Sequence, residues 1–175
     1  DDPTSWEPDE FIQAEIYSDY ALKLIKAKNY LVVLGKNSTE YFWDAGNATG
    51  SPLSRNDSPV RQVGYISNLC TIGDTTYFVG QESGQNISVF SVNSFKIESV
   101  SNPVVDRTLQ PFSSTQNTKG DATLRTDGYS ISVDGHTFYV LVTGQTTWFY
   151  DVNEKMWYEW KGSSGTGLAI EGVFS

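Results

Sequence analysis

The stretch that decides the fold is YSISVDGHTFYVLVTGQTTWFYDVNEKMWYEW, residues 129–160. It contains four short runs rich in aromatic and β-branched residues, and turn-forming residues separate them. Such runs favour β-strands, and the pair Asp134-Gly135 between the first two is typical of a tight hairpin turn. A further turn is expected at 153–155, before the last run at 156–160. The stretch therefore predicts four antiparallel strands joined in sequence order.

The same order of strands and turns recurs twice earlier in the chain. The runs YLVVLG, which ends at Gly35, and TTYFVG, which ends at Gly80, match the apolar run that ends at Gly144. Gly35 and Gly80 lie 45 residues apart, which fits the period of about 40–50 residues of a four-stranded propeller blade. Since Gly80 and Gly144 are 64 residues apart, we predict an insertion between Ser101 and Asp121.

The signals within the repeats differ in strength. The run 45–59 is rich in Gly, Asn, Ser and Pro and is predicted to be a long loop. In the insertion, the run 103–109 is predicted to form one helical turn, and the polar run 113–120 has no predicted structure. Strands in the first repeat are predicted at 22–26, 30–35 and 38–44.

Together the repeats predict an all-β fold, a β-propeller-like repeat of about three four-stranded antiparallel blades within a larger propeller. Three blades do not close a ring, so other polypeptide or other copies of the chain are expected to supply the rest. The first residue is not Met, and we interpret the chain as part of a longer polypeptide. The predicted divisions are a lead-in at 1–20, repeats at 21–66 and 67–101, an insertion at 102–121, a third repeat at 122–162, and a tail or the start of the next blade at 163–175.

Composition excludes several classes of function. The net charge of −9 disfavours a protein that grips DNA, although DNA could slide past such a surface. A single cysteine, Cys70, can form neither an intrachain disulfide nor a zinc site and is expected to be buried. We find no signal peptide and no apolar run long enough to span a membrane. No cofactor or metal is expected.

The sequence contains no convincing catalytic arrangement. His136 is the only histidine, and no serine has the surround of an activated nucleophile. The run 132–138 approaches the Asp-box of sialidase-type propellers, but Gly135 follows Asp134 directly, so the spacing fails. Glycosidases need two facing carboxylates, and nothing in the sequence pairs Asp151 with Glu159. We therefore predict that the chain is not an enzyme.

The sharpest local feature is a cluster of large aromatic residues. Aromatic side chains of this kind stack on sugars or bases, anchor protein interfaces, or pack between blades. Strand alternation places Tyr158 and Trp160 on one face of their strand and Trp157 on the other. Interface and packing roles both remain open for the four candidates, Trp148, Trp157, Tyr158 and Trp160.

Several of these runs, in the same order, resemble a known family. The runs 30–42 and 44–48, then 135–141, 147–152 and 156–159, are similar to motifs of phage packaged-DNA stabilisation proteins. These proteins are also called head-completion or tail-hub proteins of short-tailed phages. The resemblance covers nearly the whole chain, with departures at the polar run 113–120 and at Glu98-Ser99-Val100-Ser101.

The resemblance implies a structural virion protein that forms a ring below the portal. Such a protein extends the DNA channel, helps to retain the packaged genome and assembles in the host cytoplasm. Its implied partners are other copies of itself and phage portal and tail proteins, with DNA passing without sequence-specific contact. The resemblance carries no catalytic residues to this chain. The alternative interpretation is a non-catalytic propeller module that binds a glycan or a receptor through its exposed aromatic residues.

Overall fold

The computed structural model describes residues 19–47, 50–112, 128–143 and 146–160. Within these ranges the chain forms three antiparallel sheets of four strands, and the strands of each sheet lie in sequence order. The prediction of an all-β fold built from four-stranded antiparallel blades is therefore confirmed.

The first sheet contains β1 (Ala21–Ala27), β2 (Tyr30–Gly35), β3 (Thr39–Asp44) and β4 (Leu53–Arg61). The second contains β5 (Val63–Ile72), β6 (Thr75–Glu82), β7 (Ile87–Asn93) and β8 (Lys96–Ser99). The third contains β9 (Tyr129–Val133), β10 (His136–Val142), β11 (Thr147–Asp151) and β12 (Met156–Trp160).

The predicted loop at 45–59 is wrong in its second half. Residues from Leu53 form β4, which pairs with β3 at the edge of the first sheet. Its sequence, LSRNDSPVR, is polar and contains Pro59. An edge strand tolerates proline and polar side chains because it is hydrogen-bonded on one side only. The composition of β4 therefore resembles that of a loop, which explains why the sequence predicted a loop here.

The boundary between the first two repeats also differs from the prediction. β5 begins at Val63, before the predicted limit at 66, and a single residue, Gln62, separates it from β4. The lead-in up to residue 18, the polar run 113–120 and the tail 163–175 lie outside the described residues.

Two apolar layers hold the three sheets together. The layer between the first and second sheets is centred on Phe78, whose ring lies 5.9 Å from that of Phe90 and 6.1 Å from that of Tyr65. The layer between the second and third sheets includes Tyr77 and Tyr139, whose rings stack at 5.4 Å. Burial of this apolar surface is the main force that stacks the sheets.

The first two sheets approach most closely at the start of β5. The Thr39 hydroxyl donates a hydrogen bond to the main-chain oxygen of Val63 at 2.7 Å. Beside this contact, a Cβ atom added to Gly64 would lie 1.9 Å from the main-chain oxygen of Lys36. Only glycine therefore lets the backbone of β5 lie against the turn between β2 and β3.

The second and third sheets are joined by polar contacts at both edges. At the first strands, the Gly128 amide donates to the main-chain oxygen of Leu69 at 3.0 Å. Nearby, the Tyr139 hydroxyl donates to the main-chain oxygen of Asn68 at 3.0 Å and also contacts the side-chain oxygen of that residue. At the last strands, the indole nitrogen of Trp157 donates to the main-chain oxygen of Val100 at 2.7 Å.

One helix, α1 (Pro103–Leu109), lies in the predicted insertion and replaces the single turn expected there. Val105 and Leu109 point into the layer between the second and third sheets and are fully buried. The helix begins after Asn102, whose side-chain oxygen accepts hydrogen bonds from the amides of Val104 and Val105, each at 3.0 Å. A 3₁₀ turn at Gln110–Phe112 follows it.

Replacing Asn102 with alanine should lower the free energy of unfolding by about 1 kcal/mol, because two amides at the helix start lose their acceptor. Asn102→Gly is the matched control, since glycine at this position is expected to cost only a few tenths of a kcal/mol. Urea unfolding of the two variants and the wild type measures the difference. Equal stability of the alanine and wild-type chains would contradict the capping role.

Candidate interaction surface

One face of the third sheet packs against the second sheet, and the other face is not covered by any described residue. We call this second surface the open face. Among the described residues no further sheet lies beside it. The four strands contribute alternate side chains to it, and the aromatic and aliphatic ones among them include Ile131, Phe138, Val140, Phe149, Tyr158 and Trp160. Tyr158 and Trp160 are 46% and 52% exposed, which is unusual for side chains of this size.

The open face is concave and holds a pocket of about 430 Å³. Its walls are mainly apolar, and the residues His136, Asp151 and Glu159 also line it. The rings of Phe149 and Trp160 lie 5.4 Å apart at one side of the pocket. Concave apolar surfaces with a few polar groups are typical of sites that bind a ligand or another protein segment.

The polar side of the pocket is organised around Asp151. The Nδ1 atom of His136 lies 2.6 Å from Oδ2 of Asp151. The other carboxylate oxygen accepts hydrogen bonds from the amides of Asn153 at 2.8 Å and Glu154 at 3.0 Å. Burial raises the pKa of Asp151, but the hydrogen bonds from Glu154, His136 and Asn153 outweigh it and hold the pKa below its ordinary value. The ionised carboxylate thus stabilises the turn between β11 and β12.

Replacing Asp151 with asparagine should lower the free energy of unfolding near neutral pH and have a smaller effect in acid. Folding lowers the pKa of this carboxyl group, so its contribution is present above the unfolded-state pKa and is lost as the pH falls through the folded-state pKa. The difference between variant and wild type should therefore shrink below about pH 4. Urea unfolding across this pH range measures it.

The control for this experiment is Asp134→Asn, because Asp134 is an exposed carboxylate in the neighbouring hairpin turn. This variant should follow the pH dependence of the wild type. A deficit of Asp151→Asn that stays constant from neutral pH to about pH 3 would show that the charge of Asp151 contributes nothing.

The four candidate aromatic residues are divided between two environments. Trp148 and Trp157 lie in the layer between the second and third sheets. Tyr158 and Trp160 lie on the open face, as the alternation along β12 predicts. Trp148 and Trp157 therefore pack between two sheets. An interface role for Tyr158 and Trp160 stays a prediction.

Sequence reasoning did not connect His136 with Asp151. The register of β10 against β11 pairs Phe138 with Asp151, which makes His136 the diagonal neighbour of the carboxylate. Counting the residue pairs along the predicted β10–β11 hairpin could have predicted this contact. The hydroxyl groups of Ser132 and Thr137, in the same hairpin as His136, hydrogen-bond to each other at 3.1 Å.

In the described part of the chain, no three His, Cys, Asp or Glu side chains are grouped so that they could hold a metal ion. Cys70 is buried, and this burial raises the pKa of its thiol. No helix among the described residues has the length and apolar character needed to cross a membrane.

Stacked four-stranded meanders with apolar layers between them are the arrangement of blades in a β-propeller. Its residues 1–171 match the family model for phage stabilisation proteins described as "Bacteriophage P22 Gp10, beta-propeller". The chain belongs to this family, as the sequence motifs indicated. It is therefore a structural bacteriophage protein of the stabilisation, or head-completion, type. No curated protein matches the chain.

As a member of a structural phage family, the protein is a component of the virion and contacts other virion proteins.

Proposed function

We propose that the protein is part of the tail hub or neck of a phage particle, where it extends the DNA channel and helps to retain the packaged genome. The observation that carries this proposal is the family match over residues 1–171. Copies of the chain form a ring with one another and contact the portal and tail proteins after assembly in the host cytoplasm. DNA passes through the ring without sequence-specific contact, and the chain catalyses no reaction.

Charge supports passage of DNA rather than binding of DNA. The chain carries a net charge of −9, so each copy in a ring adds negative charge around the channel. Two of the basic side chains are also engaged by carboxylates. Arg55 lies 2.8 Å from Asp57, and Lys96 lies 2.6 Å from Glu98. Because like charges repel, such a ring does not hold the phosphate backbone and lets the genome move.

The test is a phage in which the gene for this protein carries a stop codon. Particles from this phage should package DNA and then lose it, so the amount of nuclease-resistant DNA per particle should fall. Supplying the wild-type protein from a plasmid should restore the amount. An immunoblot of purified wild-type particles should show the protein as a virion component.

Two results would contradict the proposal. Particles without the protein could keep their genome through nuclease treatment, which would remove a role in retention. Alternatively, the protein could be missing from purified wild-type particles, which would remove the position in the tail hub or neck.

A second candidate function is favoured by one specific observation, the exposure of Tyr158 and Trp160 beside the polar side chains of the pocket. Exposed aromatic rings suit stacking on a sugar or contact with a host receptor. A glycan array probed with the wild type and Trp160→Ala tests this function. Specific binding that the substitution abolishes would favour it, and a blank array with folded protein would count against it.

A further inference from the structure

The turn between β2 and β3 holds the carboxylate of Asp19, a residue that lies before β1. β1 pairs with β2 as far as Ala21 and Gly35, and the two residues before β1 continue beside the turn. The amides of Asn37 and Ser38 donate hydrogen bonds to Oδ2 of Asp19 at 2.5 Å and 3.0 Å. The Ser38 hydroxyl donates to Oδ1 at 3.1 Å. Three uncharged donors therefore hold both oxygens of one carboxylate.

The backbone donors of this turn have no other acceptor for that carboxylate to share. The Gly35 amide donates to the main-chain oxygen of Ser38 at 2.8 Å, and the Lys36 amide donates to that of Tyr20 at 3.0 Å. The next two amides point to Asp19. Successive amides that converge in this way form an anion-binding concavity. Since the side chain of Ser38 is only 1% exposed, loss of the carboxylate would leave a buried hydroxyl group without its acceptor.

Gly35 provides the space that the carboxylate occupies. A Cβ atom added to Gly35 would lie 2.8 Å from both carboxylate oxygens of Asp19 and 3.0 Å from the carboxyl carbon, and these are its three nearest heavy atoms. The φ of Gly35 is not positive, so the backbone itself does not require glycine here. The carboxylate is therefore the reason for a glycine at this position.

The corresponding connection in the third sheet is closed in a different way. Between β10 and β11, the amide and the hydroxyl group of Thr143 both donate to the main-chain oxygen of Thr146, at 3.0 Å and 2.9 Å. That connection uses its own side chain, whereas the turn between β2 and β3 uses a carboxylate from 18 residues away. The contact with Asp19 is thus a feature of the first sheet and not of the repeat.

We propose that the turn between β2 and β3 is a binding site for a small carboxylate, which the chain fills with Asp19 as an internal ligand. Lys36 and Asn37 are exposed, so a dissolved anion can reach the site when Asp19 is removed. In the wild type, the short connection to β1 gives Asp19 a high effective concentration, which excludes free carboxylates. The contact fixes the start of β1 to the turn against which β5 packs at Gly64.

Chemical rescue of Asp19→Gly in the full chain tests the site. The substitution removes the carboxylate and should lower the Tm. Replacing sodium chloride with sodium formate at about 0.5 M should then raise the Tm of Asp19→Gly by about 2–4 °C more than that of the wild type. The wild type corrects for the general effect of the salt on stability. Equal shifts in the two chains would overturn the proposal.

Gly35→Ala is the matched variant that blocks the site. Its Cβ displaces the carboxylate, so Gly35→Ala alone should lower the Tm about as much as Asp19→Gly does. Added to Asp19→Gly, it should cost less than about 1 °C more and should abolish the rescue by formate. Losses that simply add, or rescue that persists in the double variant, would overturn the proposal.

Hydrogen exchange gives a measurement at the site itself. The amides of Asn37 and Ser38 should exchange at least about tenfold faster in Asp19→Gly than in the wild type in chloride, and formate should slow them again. The amide of Val140, in the third sheet, should keep its wild-type rate and serves as the internal control. Exchange at Asn37 and Ser38 that responds neither to the substitution nor to formate would overturn the proposal.

Discussion

Gly64→Ala should lower the free energy of unfolding by more than about 3 kcal/mol, the largest effect we expect from adding a single methyl group to this protein. The added Cβ would lie 1.9 Å from the main-chain oxygen of Lys36, 2.5 Å from its carbonyl carbon and 2.9 Å from the Cα atom of Asn37. All three neighbours are backbone atoms, so no side-chain rotation can relieve the overlap. The start of β5 must then move away from the first sheet.

This movement would break the contacts by which the first two sheets are joined. The hydrogen bond from Thr39 to Val63 would be lost, and Val63 and Tyr65 would be drawn out of the apolar layer. Loss of a buried hydrogen bond and of buried apolar surface adds to the steric cost. The effect therefore reports on the stacking of the sheets and not on the local conformation of one residue.

Urea unfolding of Gly64→Ala and of Gly73→Asn provides the measurement and its control. Gly73 lies in the turn between β5 and β6 with φ of +59°, and a Cβ added there has no neighbour within 4 Å. Asparagine tolerates this conformation, so the control should stay within about 1 kcal/mol of the wild type. If both variants were equally stable, the result would contradict the close approach of β5 to the turn between β2 and β3.

Local signals predicted the third sheet well and the edge of the first sheet poorly. β9 ends directly before the predicted turn at Asp134-Gly135, and β12 begins and ends at the predicted residues, because short-range chemistry specifies the turns beside them. β4 was missed because its polar sequence has no alternation of its own, and only its pairing with β3 makes it a strand. Tertiary context determines such an edge strand.

The candidate surface was predictable only in part for the same reason. Alternation assigned Trp157 and Trp160 to opposite faces of β12, but it could not say which face a neighbouring sheet covers. Asn68 and Tyr139 are 71 residues apart, and no local pattern links them. Contacts between sheets follow from the stacking of whole repeats, which no short window of sequence contains.

Tyr139 is the residue through which packing and hydrogen bonding between the second and third sheets can be separated. Its side chain is fully buried, stacks on Tyr77 at 5.4 Å and meets the ring of Trp157 edge-on at 6.2 Å. Burial, with smaller contributions from Cys70 and Tyr65, raises the pKa of its hydroxyl group well above the ordinary value. The hydroxyl group is therefore protonated at neutral pH and acts as a donor.

The acceptor of this hydrogen bond is held in an unusual conformation. Asn68 is fully buried in β5, has a φ of +60°, and interrupts the regular pairing of β5 with β6. Asparagine is among the few residues that adopt such a φ without large strain. The irregularity turns the main-chain oxygen of Asn68 toward the third sheet, where Tyr139 donates to it.

Removing only the hydroxyl group, in Tyr139→Phe, should lower the free energy of unfolding by about 1–3 kcal/mol, because a buried hydrogen bond between the two sheets is lost. Tyr139→Ala also removes the ring and should cost about 3–5 kcal/mol through lost burial and the cavity that remains. Tyr158→Phe removes an exposed hydroxyl group from the open face and should change the free energy by less than about 0.5 kcal/mol. Urea unfolding of the three variants separates the contribution of the hydrogen bond from that of ring packing. If Tyr139→Phe were as neutral as Tyr158→Phe, the hydrogen bond to Asn68 would contribute no net stability.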